Sequence, residues 1–271
     1  MLYIVATPIG NLQDISLRAI EVLKQVDLIA AEDTRHSKKL LEHYGIQTPL
    51  TSFHEHNEQT KQKHLLDQLL AGKSIALISD AGTPLINDPG YHLVKTVRAA
   101  GVQVLPVPGA CAFVAALSAA GLPSDRFSFH GFLSVKSIAR KRYLTQLINA
   151  EETLIFYESP HRILACLQDM SEVFGGERVV VVARELTKAY ETIRGDTLDN
   201  LLPWMCSDSN QQRGEFVVLV QGNPSVQAQA FQQALKVYDI LKQELPMKQA
   251  VKLAAEIAGA KKNELYRYVL A

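Results

Sequence analysis

Ile75-Ala76-Leu77-Ile78-Ser79-Asp80-Ala81-Gly82-Thr83-Pro84-Leu85-Ile86-Asn87-Asp88-Pro89-Gly90 is the stretch that decides the fold. It opens with four apolar residues and Ser79, a run of strand length, and the next eleven carry two glycines, two prolines and two aspartates. Such a run bounded by turn residues reads as a strand. In α/β sheets, ligands gather at the carboxyl ends of strands, so residues 80–90 are expected to form a rigid small-molecule cradle. The small residues permit close backbone approach, Pro84 and Pro89 stiffen the path, and Asp80 sits where a carboxylate accepts hydrogen bonds. Asp88-Pro89 reads as the N-cap and first residue of the following helix.

Outward from this stretch, short β-rich runs alternate with amphipathic ones, the pattern of an α/β chain. Towards the N-terminus lie the strand Leu2 to Ala6, a helical pattern of Leu17, Ile20, Leu23 and Lys24, the strand Asp27 to Ala31, and helices over 38–44 and 58–70. Towards the C-terminus come a helix over 91–100, the strand Val102 to Val107 and a helix over 112–120. Residues 121–127 combine Gly, Pro and polar residues, the composition of a linker. A second series follows: strands over 127–132, 153–157, 178–183 and 215–220, with a basic helix carrying Lys136, Arg140, Lys141 and Arg142. It stops at Gly222-Asn223-Pro224. Beyond that point only helical patterns occur, over 225–244, 247–258 and 261–270, the last two separated by Gly259 as in a helix–turn–helix pair. The expected organisation is an N-terminal α/β domain over 1–120, a C-terminal α/β domain over 121–223 and a helical tail over 224–271.

A length of 271 residues favours two domains, and 47% hydrophobic with 21% charged residues excludes a disordered chain. The 28 Lys and Arg balance the 28 Asp and Glu, which excludes a histone-like binder. The neutral sum hides an asymmetry: residues 224–271 hold seven Lys or Arg against four acids, and residues 1–223 hold 21 against 24. Cys111, Cys166 and Cys206 are odd in number and widely spaced, which argues against a disulfide framework or structural zinc and fits a reducing cytoplasm. No basic n-region precedes an apolar core at the N-terminus, and no apolar run reaches about 18 residues, so neither a signal peptide nor a membrane span is expected.

Several other strand ends carry polar groups. The first runs into Ala6-Thr7-Pro8-Ile9-Gly10-Asn11, which lacks both G-x-G-x-x-G and G-x-x-x-x-G-K-[ST], so dinucleotide and ATP cradles are unsupported. Another ends in Pro106-Val107-Pro108-Gly109-Ala110-Cys111-Ala112, and three such turns point to one shared pocket. Ala31-Glu32-Asp33-Thr34-Arg35-His36 offers two acids, a base and a hydroxyl, or else a helix N-cap by Asp33 or Thr34 with a surface ion pair. Tyr157-Glu158-Ser159-Pro160-His161-Arg162 and Ala183-Arg184-Glu185-Leu186-Thr187-Lys188 repeat the theme. His54 and His56 would share one face of a strand, but without a third ligand at suitable spacing no metal is expected. There is no G-x-S-x-G elbow.

Taken together, Ala6 to Leu12, Ala31 to Arg35, Ser79 to Pro84, Val107 to Ala110, Tyr157 to Arg162 and Arg213-Gly214-Glu215-Phe216 resemble the bacterial 16S ribosomal RNA ribose 2′-O-methyltransferases that modify a decoding-centre cytidine. These belong to the tetrapyrrole methylase superfamily. The resemblance runs in order along essentially the whole chain. It implies two α/β domains of the tetrapyrrole methylase type with S-adenosylmethionine (SAM) in the cleft between them, a homodimer, and 16S ribosomal RNA of the small subunit as substrate. By similarity, Asp80, Ala81, Gly82, Leu85, Ile86, Ala110 and Ala112 line the cofactor, with Pro8 and the Arg213-Gly214-Glu215 turn nearby. Tetrapyrrole-modifying members have a first loop like G-x-G-P-G-D, and its replacement here by Thr7-Pro8-Ile9-Gly10-Asn11 favours the RNA branch.

The catalytic roles are argued from chemistry. Asp33, Glu158 and Glu185 are the strand-end carboxylates suited to accept a proton or orient a hydroxyl, and Arg35 is suited to hold a phosphate. Two other readings are a methylase of a tetrapyrrole or protein side chain, which the basic tail disfavours, and a noncatalytic RNA-binding module that senses SAM, which methyl transfer in vitro would exclude.

Overall fold

The computed structural model describes residues 1–54 and 57–270. The first sheet consists of β1 (Leu2–Val5), β2 (Leu28–Ala31), β3 (Leu50–Ser52), β4 (Ile75–Ile78) and β5 (Val104–Val107), in the order β3-β2-β4-β1-β5. All its neighbours are parallel, with Leu2 opposite both Ile75 and Val104. Parallel pairing requires crossovers, and helices supply them: α1 (Leu17–Gln25), α2 (Thr34–His43), α3 (Glu58–Leu70) and α4 (Tyr91–Ala99). α5 (Ala112–Ala119) follows β5.

Ile75 to Ile78 run through the sheet's middle and are all at most 2% exposed, which is why the segment is continuously apolar. Its side chains alternate between two cores. Ala76 and Ile78 join Ala19 and Leu23 of α1 and Leu40 and Leu41 of α2, whereas Ile75 and Leu77 join Leu65 and Leu69 of α3 and Leu93 and Val97 of α4. The adjacent strands β1 and β4 are therefore followed by helices on opposite faces. That is a topological switch point, where a crevice opens at the strands' carboxyl ends. The loops after β1 and β4 are among those singled out in the sequence.

The second sheet consists of β6 (Phe127–Phe132), β7 (Thr153–Glu158), β8 (Val179–Arg184), β9 (Thr192–Thr197) and β10 (Phe216–Val220), in the order β6-β7-β10-β8-β9. Its helices are α6 (Ser137–Gln146), α7 (Ile163–Phe174) and α8 (Leu198–Ser207). Arg140 of the basic helix α6 does not face solvent. It is buried in an ion pair with Asp169 of α7 at 2.6 Å and also donates to the carbonyls of Ser134 and Ala165. The tail comprises α9 (Pro224–Leu241), α10 (Met247–Ala258) and α11 (Lys262–Leu270). Ala234, Tyr238, Ala250, Val251, Ala254, Ala255 and Leu265 give the tail a core of its own.

Two compact units result. One comprises residues 1–120, 182–194 and 214–217, and the other 121–181, 195–213 and 218–271. Among the described residues, no helix is long and apolar enough to cross a membrane. β3, α7, β9 and α8 are absent from the sequence expectation, and α2 begins at Thr34 rather than near Lys38.

Candidate active site

In the first unit, backbone and side-chain hydrogen bonds stitch four strand ends into one rim. Thr7 and Gly82 exchange both N–H···O bonds, at 2.8 and 3.0 Å, joining the loops after β1 and β4. The Thr83 hydroxyl donates to the Ala110 carbonyl at 3.0 Å, bringing in the loop after β5. The Asp33 N–H donates to Asp80 Oδ1 at 2.9 Å, and the Asp80 N–H to Glu32 Oε2 at 3.4 Å, bringing in the end of β2. Pro8, Asp33, Asp80, Ala81, Gly82, Leu85, Ile86, Ala110 and Ala112 all lie on this rim or in the segments that leave it. The cradle is strained as well as rigid: Leu85 and Asn87 have φ of 73° and 65°. For residues with a Cβ, that conformation costs energy and concentrates at functional sites.

The structure corrects the reading of Asp88. The residue before α4 is Gly90, no side chain caps the helix, and Tyr91 is its first residue. Asp88 does not cap. It is half-buried beside Ser79, and burial, with the negative charges of Glu32 and Asp80, pushes its carboxyl up to about 6. Burial also raises Glu32. Asp33 behaves oppositely: hydrogen bonds from the Arg35 side chain and backbone hold it at about 2. Asp33 is at once the N-cap of α2 and the ion-pair partner of Arg35 at 3.0 Å, so the helix-cap alternative is realised locally. The Arg35 side chain is 90% exposed.

A second group in this unit centres on Glu185. Its carboxylate accepts the Glu215 N–H at 3.0 Å and the Lys188 ammonium at 2.9 Å, and Lys188 also reaches Glu215 at 2.7 Å. Burial raises the Glu185 carboxyl, but Lys188 and the Glu215 amide outweigh it and the net shift is downward. Glu185 and Thr187 take φ of 51° and 66°, and Thr187 Oγ1 accepts the Asn11 N–H at 3.1 Å. A Cβ on Gly214 would strike the Glu185 side chain, so the close approach of these segments requires glycine there.

Glu158 and Arg213 belong to the other unit. The Glu158 side chain is fully buried, accepting the Arg162 guanidinium at 2.6 Å and the Ser159 N–H at 2.8 Å. Arg162 also donates to the Leu133 carbonyl at 3.2 Å and lies over the Phe132 ring, 5.8 Å from its centroid. Glu158 is thus the anchor of Arg162. Arg213 follows the short helical turn Ser209–Gln212.

A family model described as Tetrapyrrole (Corrin/Porphyrin) Methylases matches residues 1–202, and one described as the RsmI C-terminal HTH domain matches residues 228–271. The chain belongs to the tetrapyrrole methylase family. Within the family it is 57% identical to a Pseudomonas aeruginosa protein named ribosomal RNA small subunit methyltransferase I, over 99% of this chain and 96% of the relative. Proteins of the same name from Haemophilus influenzae and Escherichia coli O157:H7 are 55% and 56% identical, over 100% and 99% of this chain and 96% and 94% of theirs. Among solved structures, a uroporphyrin-III-C-methyltransferase from Thermus thermophilus shares the fold with a TM-score of 0.58 at 18% identity, covering 81% of this chain and 93% of that one. A diphthine synthase does so at 0.60 and 15%, covering 81% and 89%. As a member of the ribosomal RNA small subunit methyltransferase I group, this tetrapyrrole methylase is a methyltransferase and draws on a methyl donor.

Sequence reasoning on this tetrapyrrole methylase missed the inward turn of Asp88 and the part played by Ser79 and Glu32. Asp-Pro before a helical pattern is a strong capping signal, but the chain turns once more at Gly90, with φ of 124°, before α4 begins. His54 is held by Asn57, whose side-chain amide contacts Nε2 at 3.1 Å, and His56 lies outside the described residues. Among the described residues, no group of three or more His, Cys, Asp or Glu side chains is arranged to hold a metal ion.

Proposed function

We propose that this chain transfers a methyl group from SAM to the ribose 2′-oxygen of a cytidine in the decoding centre of 16S ribosomal RNA. It would work as a cytoplasmic homodimer on the small ribosomal subunit. The observation that carries this reading is the presence, in one chain, of a methylase match over 1–202 and the C-terminal helix–turn–helix match over 228–271, with full-length relatives named for small-subunit ribosomal RNA. The proposed division is residues 1–120, 121–223 and a tail over 224–271.

The donor set suits SAM. Glu32, Asp80 and Asp88 gather negative charge at a switch point framed by Ala81, Gly82, Ala110 and Ala112, and none of the groups acting on Asp88 is a lysine or arginine. Such a site favours a cationic ligand carrying a sulfonium and an ammonium. Asp80, Ala81, Gly82, Leu85, Ile86, Ala110 and Ala112 would hold it, with Pro8 and the Arg213-Gly214-Glu215 segment beside it. When bound, SAM supplies an electrophilic methyl group.

The chain's own residues supply position and proton handling. Alignment of two bound reactants is worth on the order of 7–11 kcal/mol, more than the roughly 10²–10⁴-fold a general base adds. Asp80 fixes the start of α2 through the Asp33 amide, and Arg35 of that helix, exposed although its Nε and one Nη donate to Asp33, would meet a backbone phosphate through its remaining N–H groups. Glu158 sets the direction of Arg162, and Glu185 holds Lys188 and the Glu215 backbone. Lys248, Lys252, Lys261, Lys262 and Arg267 in the tail are available for further phosphates. Incubation with methyl-labelled SAM and separated small subunits, large subunits, naked 16S RNA and a porphyrin precursor tests the reading. Label entering only small-subunit RNA supports it, and label entering the tetrapyrrole alone would overturn it.

A further inference from the structure

We propose that Phe132 is a stacking platform for an unpaired base of the RNA, flanked by Lys136 and Arg142 for the neighbouring phosphates; the inference rests on the function proposed above. Phe132 ends β6, the edge strand of the second sheet. The Arg162 guanidinium lies over its ring, 5.8 Å from the centroid, and Tyr157 meets it in a T-shaped contact at 5.7 Å. Both neighbours are held. Arg162 is fixed by Glu158 at 2.6 Å, by the Leu133 carbonyl at 3.2 Å and by the Ser159 hydroxyl at 3.1 Å, and Tyr157 packs in turn on Phe129 at 4.8 Å. The ring is thus steadied from two sides, yet Phe132 is 49% exposed, so the surface these neighbours leave uncovered meets solvent.

A steadied, exposed aromatic ring suits an unpaired nucleobase, because every base has a π-face and stacking demands no particular hydrogen-bond pattern. The charge beside the ring decides the partner. Residues 132–150 hold four Lys or Arg and no Asp or Glu. Two of the four are engaged inside the unit: Arg140 pairs with Asp169, and Lys141 with Asp169 and Glu172. Lys136 and Arg142 stay exposed. Arg140 and Leu144 turn one face of α6 inwards, which leaves Ile138 and Arg142, one turn apart, together on the outward face, with Ile138 86% exposed. Lys136 immediately precedes the helix, between Phe132 and that face along the chain. Aromatic and apolar surface interleaved with cations and free of carboxylates matches single-stranded RNA, whose bases stack while its phosphates meet the cations. A two-fold contact between copies centred on this face would instead bring like charges together, which costs energy.

The test compares the parent chain with Phe132→Leu, which keeps an apolar side chain without a π-face, with Phe132→Trp, which keeps the π-face, and with Arg142→Gln. Each is titrated with a fluorescent single strand of decoding-centre sequence and with the same strand annealed to its complement. Methylation of small subunits and sedimentation equilibrium are measured alongside. The parent should prefer the single strand. Phe132→Leu should bind it about 5–150-fold more weakly, the range one stacked base carries, and show the loss in KM more than in kcat, with SAM affinity unchanged. Phe132→Trp should bind within about threefold of the parent, its added indole emission quenched by the RNA. Arg142→Gln should lower the salt slope by about one, and an unchanged slope would overturn its phosphate contact. Affinity of Phe132→Leu within about twofold of the parent, an equal loss in Phe132→Trp, or a parent that prefers the duplex would overturn the stacking role. So would dissociation of Phe132→Leu into smaller species, which would assign the ring to a contact between copies. A parent that transfers no methyl group to ribosomal RNA overturns the proposed function itself, whereas a parent that methylates small subunits with the same KM as Phe132→Leu overturns the stacking role alone.

Discussion

Asp80 Oδ1 accepts the backbone N–H of Asp33 at 2.9 Å, so the loop after β4 holds the first turn of α2 in place. Asp80 thereby links the cradle proposed for the donor to the helix that carries Arg35.

Asp80→Ala leaves the part-buried Asp33 amide without this partner, a loss worth about 0.5–1.5 kcal/mol. SAM affinity is expected to fall about tenfold or more by calorimetry, and Asp80→Asn, which keeps an acceptor oxygen but loses the charge, should fall less. Equal affinities in the parent and Asp80→Ala would place the donor elsewhere.

Arg35→Ala removes a side chain that is 90% exposed and pairs with Asp33. Stability should change by no more than about 0.5 kcal/mol, as for other surface substitutions. SAM affinity should stay within about twofold, and methylation of the RNA should fall by the roughly 1.5–3 kcal/mol of a charge-assisted contact. A variant that methylates normally would leave Arg35 as a helix-terminus ion-pair partner only.

Arg162→Ala strands the fully buried Glu158 carboxylate, and breaking such a pair costs about 3–5 kcal/mol. Thermal melting should show this loss, with partial recovery in the double variant Glu158→Gln/Arg162→Ala. Melting of Arg162→Ala at the parent temperature would mean that water reaches Glu158 freely.

Asp88 couples stability to pH. Its folded-state pKa of about 6 lies above the ordinary value of 3.8, so between these values the folded chain binds more protons than the unfolded one and stability falls as pH rises. Asp88→Asn, which cannot ionise, should therefore melt higher than the parent at pH 7.5 and level with it near pH 4. Allowing for the solvent that reaches this half-buried group, the gap at neutral pH should be about 1–2 kcal/mol. A parent as stable as Asp88→Asn at pH 7.5 would contradict the raised pKa.

A chain ending at Asn223 is expected to fold and bind SAM. Asn223 is tied to the second unit by its N–H to Ala150 O at 2.7 Å and its side-chain amide to Ile148 O at 3.1 Å, and the helices beyond it enclose their own core. Phe231, Leu235 and Leu241 pack within that core. RNA affinity should be weaker and less salt-dependent than in the full chain if Lys248, Lys252, Lys261, Lys262 and Arg267 meet phosphates. Lys261, Lys262 and Arg267 already line one surface depression with Asn263 and Glu264. An unchanged salt slope would remove this role from the tail.

The α/β alternation is legible because β1, β2 and β4 of the first sheet are apolar runs, β4 buried on both faces and followed by turn residues. β3 and β9 escaped because Leu50-Thr51-Ser52 is too short to show a period and Thr192-Ile193-Arg194-Gly195-Asp196-Thr197 is mostly polar, as an edge position allows. The cradle loop was legible from its glycines and prolines. What it does with its acids was not, because the positive φ angles at Leu85, Asn87 and Gly90 put Asp88 away from the helix start, and no side-chain pattern announces them. Arg140 reads in the sequence only as one cation of a basic helix, because its partner Asp169 lies 29 residues away.

The most direct test of the central claim is to methylate small subunits with labelled SAM, digest the 16S RNA to nucleosides and separate them. The account predicts that the label appears in 2′-O-methylcytidine from a decoding-centre fragment. Label in a base-methylated nucleoside, or in RNA outside that region, would contradict it.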